Sequence, residues 1–233
     1  MKFNTQLQEA KLIKRYKRFL TDIELPNGEI LTVLCPNTGS MKSCITPGWE
    51  VMISDSQNPE RKYRYTWEMV HNEKCWIGIN TGIPNRICEE AIANDLIPEL
   101  TDYPEIKREV KYGENSRIDL LLKNENRLCY IEIKNVTLVE DDGNYYFPDA
   151  VTTRGRKHLY ELMEMVKQGH RAVMLYVIQR SDGKIFKPAK HIDPDYTEAL
   201  KEAHKNGVEI LAYRAEVSPQ EIRIAEPVKW EID

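Results

Sequence analysis

Asp119, Glu132 and Lys134 are the residues whose types and spacing could do chemistry. They lie in "RIDLLLKNENRLCYIEIK", residues 117–134. Cys129, Ile131 and Ile133 alternate with Tyr130, Glu132 and Lys134, the period of a strand with two different faces. The segment reads as a hairpin whose loop centres on Glu125 and Asn126. That symmetry sets Asp119 directly opposite Glu132, with Lys134 two residues further along the same face. Facing carboxylates repel at a cost of ~0.2–1 kcal/mol, and a divalent cation removes it. Mg²⁺ characteristically takes one or two carboxylates and keeps several waters. A neighbouring ammonium then orients a water or stabilises charge on a phosphorane-like transition state. The chemistry would be metal-dependent phosphodiester hydrolysis, with Asp119 and Glu132 on Mg²⁺ or Mn²⁺.

An exposed strand carrying Glu-x-Lys for solubility shows the same residue types. Two features weigh for chemistry. Leu121 and Tyr130 share the charged face, so that face is not simply solvated. "TTRGRKH" then opens a helix that Thr152 or Thr153 can cap, and helix N-terminal amides favour anions. That segment brings Arg154, Arg156 and Lys157 as phosphate-binding candidates, with His158 beside them.

The elements that must position these groups fall into two parts. Residues 1–81 read as short strands with turn signals: "RFLTDIEL" and "EILTVLC" flank "PNG", "EVMISDS" follows, and "YRYTWEMV" pairs with "KCWIGIN". Many short strands and no long helix predict a small β-barrel. Gly and Pro punctuate "NTGIPN", and a boundary is expected there, with residues 82–233 as a second domain. "NRICEEAIANDLIPEL" has helical spacing. Three strands, a helix ending at Gly169, the apolar strand "RAVMLYVIQR", a helix ending at Gly207 and the strand "VEILAYRAEV" complete a mixed α/β sheet.

The chain of 233 residues is 41% hydrophobic and 30% charged, enough for two cores. No apolar run reaches a membrane-spanning length, and the N-terminus lacks a secretory h-region. Five cysteines, an odd number with no CxxC, fit a reducing cytoplasm better than a disulfide framework. The net charge of −4 hides an uneven distribution: residues 1–80 sum to +2 and the rest to −6. "KLIKRYKR" packs five cations, among them Lys14, Arg15, Lys17 and Arg18, around Tyr16, with Phe19 next. Cations contact phosphate and aromatic rings stack on bases; alternatively the aromatics face the barrel core. Arg61, Lys62 and Arg64 form a second basic cluster.

At these residues the chain resembles a known family. "SRIDLLL" with "CYIEIKNVTL" is similar to the PD-(D/E)xK nuclease signature, with Ile118-Asp119 in place of Pro-Asp. "LIKRYKRFL", "CPNTGSM", "NPERKYRYTWE", "EVKYG", "FPDAVTTRGRKHL" and "GVEILAY" resemble, in order, the sugar fermentation stimulation protein A family. The resemblance implies an OB-type barrel followed by a nuclease-like domain, an α/β (α+β overall) chain. It implies DNA binding without sequence specificity and a role in regulating maltose and sugar metabolism; the alternative is an active Mg²⁺-dependent nuclease. It adds Glu90, in "NRICEEAI", as a third metal acid and Glu109, in "EVKYG", as an acid near the site. A membrane partner is not expected, and the oligomeric state is left open, a homodimer being one option.

Overall fold

The computed structural model describes residues 1–113, 116–125 and 127–232. The first strands are β1 (Gln8–Tyr16), β2 (Leu20–Glu24), β3 (Ile30–Leu34), β4 (Glu50–Asp55), β5 (Tyr65–His71) and β6 (Trp76–Gly78). They are ordered β3-β2-β1-β4-β5-β6, and a parallel pairing of Leu34 with Thr66 joins β3 to β5 and closes a five-strand barrel. Closure removes free strand edges. Leu12, Ile23, Val33, Ile53 and Ile77 fill it around Trp67, whose indole N–H donates to the Met69 carbonyl at 2.9 Å.

Helix α1 (Pro84–Ala93) follows. Helical spacing predicted a run as far as Leu100. The helix stops sooner, because Asn94 caps it and Asp95 turns left-handed at φ 55°; a short 3-10 turn occupies Pro98–Leu100.

The large sheet is built from β7 (Glu105–Tyr112), β8 (Ser116–Asn124), β9 (Arg127–Val136), β12 (Arg171–Ile178), β14 (Glu209–Val217) and β15 (Ile222–Pro227), in the order β15-β14-β12-β9-β8-β7. β7, β8 and β9 form an antiparallel meander, and β9, β12 and β14 run parallel. The mixed sheet is the fold class expected. Helix α1 covers one face, packing Ile87, Ala91 and Ile92 on Leu120, Ile131 and Leu175. The other face carries α2 (Thr153–Lys167) and α3 (Pro194–Lys205), through Leu159, Leu162 and Leu200. Sequence pattern did not find β15, nor the small sheet β10 (Leu138–Val139), β11 (Tyr145–Phe147) and β13 (Phe186–Pro188), whose two- and three-residue strands have no readable period.

Several buried contacts tie barrel to sheet. The Gly78 amide donates to the Gln179 carbonyl at 2.9 Å. The buried Arg180 guanidinium donates to Ser43 Oγ (2.8 Å) and the Thr137 carbonyl (2.5 Å), and pairs with Asp182 (2.6 Å). Asn72 of the barrel donates to the same Asp182 at 2.6 Å.

Candidate active site

The β8–β9 hairpin has the register its symmetry predicted, from Leu120–Ile131 to Asn124–Arg127; Asn126, on which the loop was centred, lies outside the described residues. Pairing stops one rung short of Asp119 and Glu132. On the other side, β7 and β8 pair from Glu105–Lys123 to Arg108–Leu120, skip one rung, and resume at Val110–Ile118. The skipped rung sets Glu109 opposite Asp119, with Glu109 in the left-handed region at φ 54°. One rung across three strands therefore carries three acids, and both ladders open there. Strands β7 and β8 change face at the same place. Ile106, Leu120 and Leu122 pack toward α1, whereas Val110, Tyr112 and Ile118 pack toward α2.

A cleft of about 630 Å³ lies over this rung, lined by Glu109, Asp119, Glu132 and Lys134. The Asp119 carboxylate accepts from the Ile133 amide (2.7 Å) and from Asn85 Nδ2 (2.9 Å) in the first turn of α1. Burial, and then the charge of Glu132, push its pKa up to about 6. Burial works to raise Glu132 as well, but the hydrogen bond from His158 and the Lys134 charge outweigh it, and its pKa falls. Lys134 Nζ donates to Glu132 Oε1 at 2.6 Å, and His158 Nδ1 bonds the same oxygen. Glu132 Oε2 is buried and accepts no hydrogen bond.

Thr152 caps α2 by accepting from the Gly155 amide at 3.0 Å, which turns Arg154 and His158, one helical turn apart, toward the sheet. Both line the cleft, with Arg154 Nε 3.3 Å from His158 Nε2. The barrel closes the mouth. Asn37 and Gly39 line the cleft, and Asp149 across from them accepts from the Met41 amide at 3.0 Å.

The structure thus brings Asp119, Glu132 and Lys134 together, with Glu109, the acid expected near the site, and His158 beside them. It does not bring Glu90, expected as a third metal acid: the Glu90 carboxylate is half exposed and pairs with the N-terminal ammonium at 2.9 Å. Asn85, five residues earlier, is the α1 side chain that reaches Asp119. Among the described residues no three His, Cys, Asp or Glu side chains converge closely enough to hold a metal. The donor set is two carboxylates, one with an orphaned oxygen, which suits a cation that keeps most of its waters.

The cations expected on DNA divide. Lys17 and Arg18 form the exposed β1–β2 turn, at φ 48° and 64°, and Phe19 beside them is 48% exposed, not in the barrel core. Arg15 is corrected: its guanidinium donates to the carbonyls of Arg18 (2.5 Å), Asn37 (2.8 Å) and Gly39 (3.0 Å), so it holds the cleft-lining loop and offers little to phosphate. Lys14 approaches Asp22 at 3.6 Å. Arg61, Lys62 and Arg64 are exposed between β4 and β5, with Arg64 paired to Asp55 at 2.5 Å. Arg156 pairs with Asp195 at 2.5 Å, and Lys157 approaches Glu161 at 3.5 Å. Sequence reading missed Asn85, Arg86 and Arg108, which line the cleft. The only signal for Asn85 and Arg86 was a polar pair directly after the helix-opening Pro84. All five cysteines are free, and no helix among the described residues is long and apolar enough to cross a membrane.

Two family models match the chain: the SfsA N-terminal OB domain over residues 13–79 and the sugar fermentation stimulation protein RE domain over residues 82–221. A sugar fermentation stimulation protein homolog of Geotalea uraniireducens is 59% identical over 224 residues, covering 96% of each chain. One from Shewanella frigidimarina is 58% identical over 223 residues, covering 94% of this chain and 95% of that one. The solved structure of Pyrococcus furiosus SfsA in complex with Ca²⁺ aligns at a TM-score of 0.90 with 28% identity, over 100% of this chain and 98% of the other.

Proposed function

The chain belongs to the sugar fermentation stimulation protein family, and from that premise we propose that it binds DNA without sequence preference and that its cleft cuts phosphodiester bonds with a divalent cation, Mg²⁺ or Mn²⁺. The observation that carries this reading is the Asp119–Glu132 pair: a half-buried and a buried carboxylate on one rung, one raised in pKa and the other holding an orphaned oxygen, beside an ammonium. That a relative was solved with Ca²⁺ supports a divalent site.

The residues fit such an ion. Asp119 and Glu132 Oε2 would hold it, and bound there it supplies Lewis-acid polarisation of a phosphoryl oxygen and a more acidic water. The chain's own groups do the rest. Asn85 and the Ile133 amide fix Asp119. His158 fixes Glu132 through Oε1 and leaves Oε2 free. Lys134 is placed to orient an attacking water or to stabilise the developing negative charge. Arg86, Arg108 and Arg154 line the walls where a phosphate backbone would pass. The exposed β1–β2 and β4–β5 turns, with Lys17, Arg18, Arg61 and Lys62, extend the basic track across the barrel, where OB-type barrels take oligonucleotides. Lys14 adds to it beside the first turn.

A second reading has the chain bind DNA to regulate sugar, including maltose, metabolism without cutting it. It draws on the Glu132–Lys134 ion pair: the lysine is occupied by the carboxylate it would serve until a cation takes up that charge. Purified protein incubated with plasmid and with single-stranded DNA, with and without Mg²⁺ or Mn²⁺, separates the two. Metal-dependent nicking or degradation is expected. Retained DNA with full binding in both metals favours the regulator.

A further inference from the structure

A second concavity, of about 980 Å³, opens on the α2 side of the sheet between the end of β7 and α2. Tyr130 continues the row of Lys134 and Glu132 along β9, so groove and cleft share one face. The walls are aromatic. Tyr112 and Tyr130 lie with ring centroids 5.8 Å apart and planes tilted by 32°, and Tyr160 on α2 is 52% exposed.

The floor holds polar atoms that make no hydrogen bond. The Tyr112 hydroxyl and both carboxylate oxygens of Glu161 are buried and make no hydrogen bond. Lys157 Nζ, 3.5 Å from Glu161 Oε1, balances charge without hydrogen bonding to it. Gly113, at φ 52°, approaches that carboxylate closely, and a Cβ there would come within 2.8 Å of Oε1, so a side chain at this position would crowd the Glu161 edge. Burial, then the charges of Glu132, Glu161 and Asp119, push the Tyr112 pKa up, so its hydroxyl remains a donor. The same charges locate Tyr112 between cleft and groove. Buried polar groups left unmatched cost free energy in the free protein and repay it when a ligand matches them.

The complement of this groove is a flat ring with donors and an acceptor on one edge and an anionic tail toward Lys111 at the rim. We propose that the groove takes an unpaired nucleobase from a single strand leaving the cleft, its ring against Tyr160 and its donor edge on Glu161. Guanine fits best, because N1–H and the N2 amino group give two adjacent donors to two carboxylate oxygens and O6 accepts from Tyr112. The inference rests on the DNA reading of the cleft.

Fluorescence anisotropy of the full chain in EDTA, where no cleavage intervenes, tests it. The probes are a short oligo-dT strand, the same strand with one central dG, and a duplex. The dG strand is expected to bind about tenfold tighter than oligo-dT, the scale of a matched set of hydrogen bonds. Tyr160→Ala, at an exposed site that leaves folding intact, should weaken both single strands about tenfold and spare the duplex, as loss of one stacking platform does. Glu161→Gln should erase the dG preference. Variants that bind all three probes like the parent overturn the inference. A parent that binds duplex but not single strands overturns the groove and leaves the cleft reading standing; one that binds none overturns both.

Discussion

The Ile133 amide donates to Asp119 Oδ2 at 2.7 Å, so the strand that carries Glu132 and Lys134 also fixes the first acid. Asp119 is held in place with its pKa raised to about 6. A carboxyl raised on folding favours the fold below its unfolded pKa near 4. That contribution is lost as pH climbs to about 6, and above it the fold bears the whole cost. At about 1.4 kcal/mol per tenfold change in proton affinity, the cost is about 3 kcal/mol. In EDTA the parent's melting temperature should fall between pH 4 and 6 more steeply than that of Asp119→Asn. At neutral pH the variant should melt at or above the parent. An identical pH profile in the two proteins would refute the raised pKa of Asp119.

The same pair predicts the metal response. At tenfold excess over the dissociation constant, Mg²⁺ should stabilise the parent by about 1.4 kcal/mol. Asp119→Asn should lose that increment. Thermal melts of both proteins in Mg²⁺, Mn²⁺ and EDTA read it, and only the difference between proteins is diagnostic, because weak sites elsewhere act on both.

If the cleft cleaves as proposed, Lys134→Ala removes an ammonium needed chiefly in the transition state. Cleavage should fall by about 10²–10³, the scale of one lost electrostatic donor, while DNA affinity stays near the parent value. Single-turnover rates and gel shifts on one preparation distinguish this from misfolding. Cleavage at the parent rate would make Lys134 only an ion-pair partner of Glu132.

The cation assignments separate by salt. On duplex DNA the log–log salt slope changes by about 0.9 per phosphate contact. Lys17→Ala with Arg18→Ala should flatten that slope without moving the melting temperature. Arg15→Ala should do the reverse: it strips three carbonyls of a donor and lowers stability by about 1–3 kcal/mol. Slopes that respond only to Arg15→Ala would place the phosphate track elsewhere.

Arg180→Met would leave Asp182 buried beside a lost partner and remove the bonds to Ser43 and Thr137. Breaking a buried pair costs about 3–5 kcal/mol. Calorimetry should show either one transition at lower temperature or two transitions where the parent has one; an unchanged single transition would mean the clamp contributes nothing.

What could be read in the sequence followed the periods. The Asp119–Glu132 register was legible because alternation fixes the faces and a symmetric turn fixes the pairing. Glu109 was legible only as an acid, not as the place where two strands change face, because glutamate carries no mark of a left-handed backbone. Glu90 misled because its acidity could be read from the sequence, but not which side of α1 faces the sheet. Arg15 misled for a related reason: two of its three carbonyl partners lie 22 and 24 residues away, and a charged side chain in a basic run gives no hint of being spent on backbone.

The cleft borrows one wall from the barrel and the rest from the sheet, α1 and α2. Neither half of the polypeptide alone supplies the whole lining of the cleft; that is complete only where both have folded and met. A chain severed in the Thr81–Gly82 link would carry Asn37 and Gly39 on one fragment and Asp119, Glu132 and Lys134 on the other. If the cleft cuts as proposed, full activity should return only on reassociation, and an incompletely made or misassembled copy would hold the acids and the lysine without the barrel wall beside them.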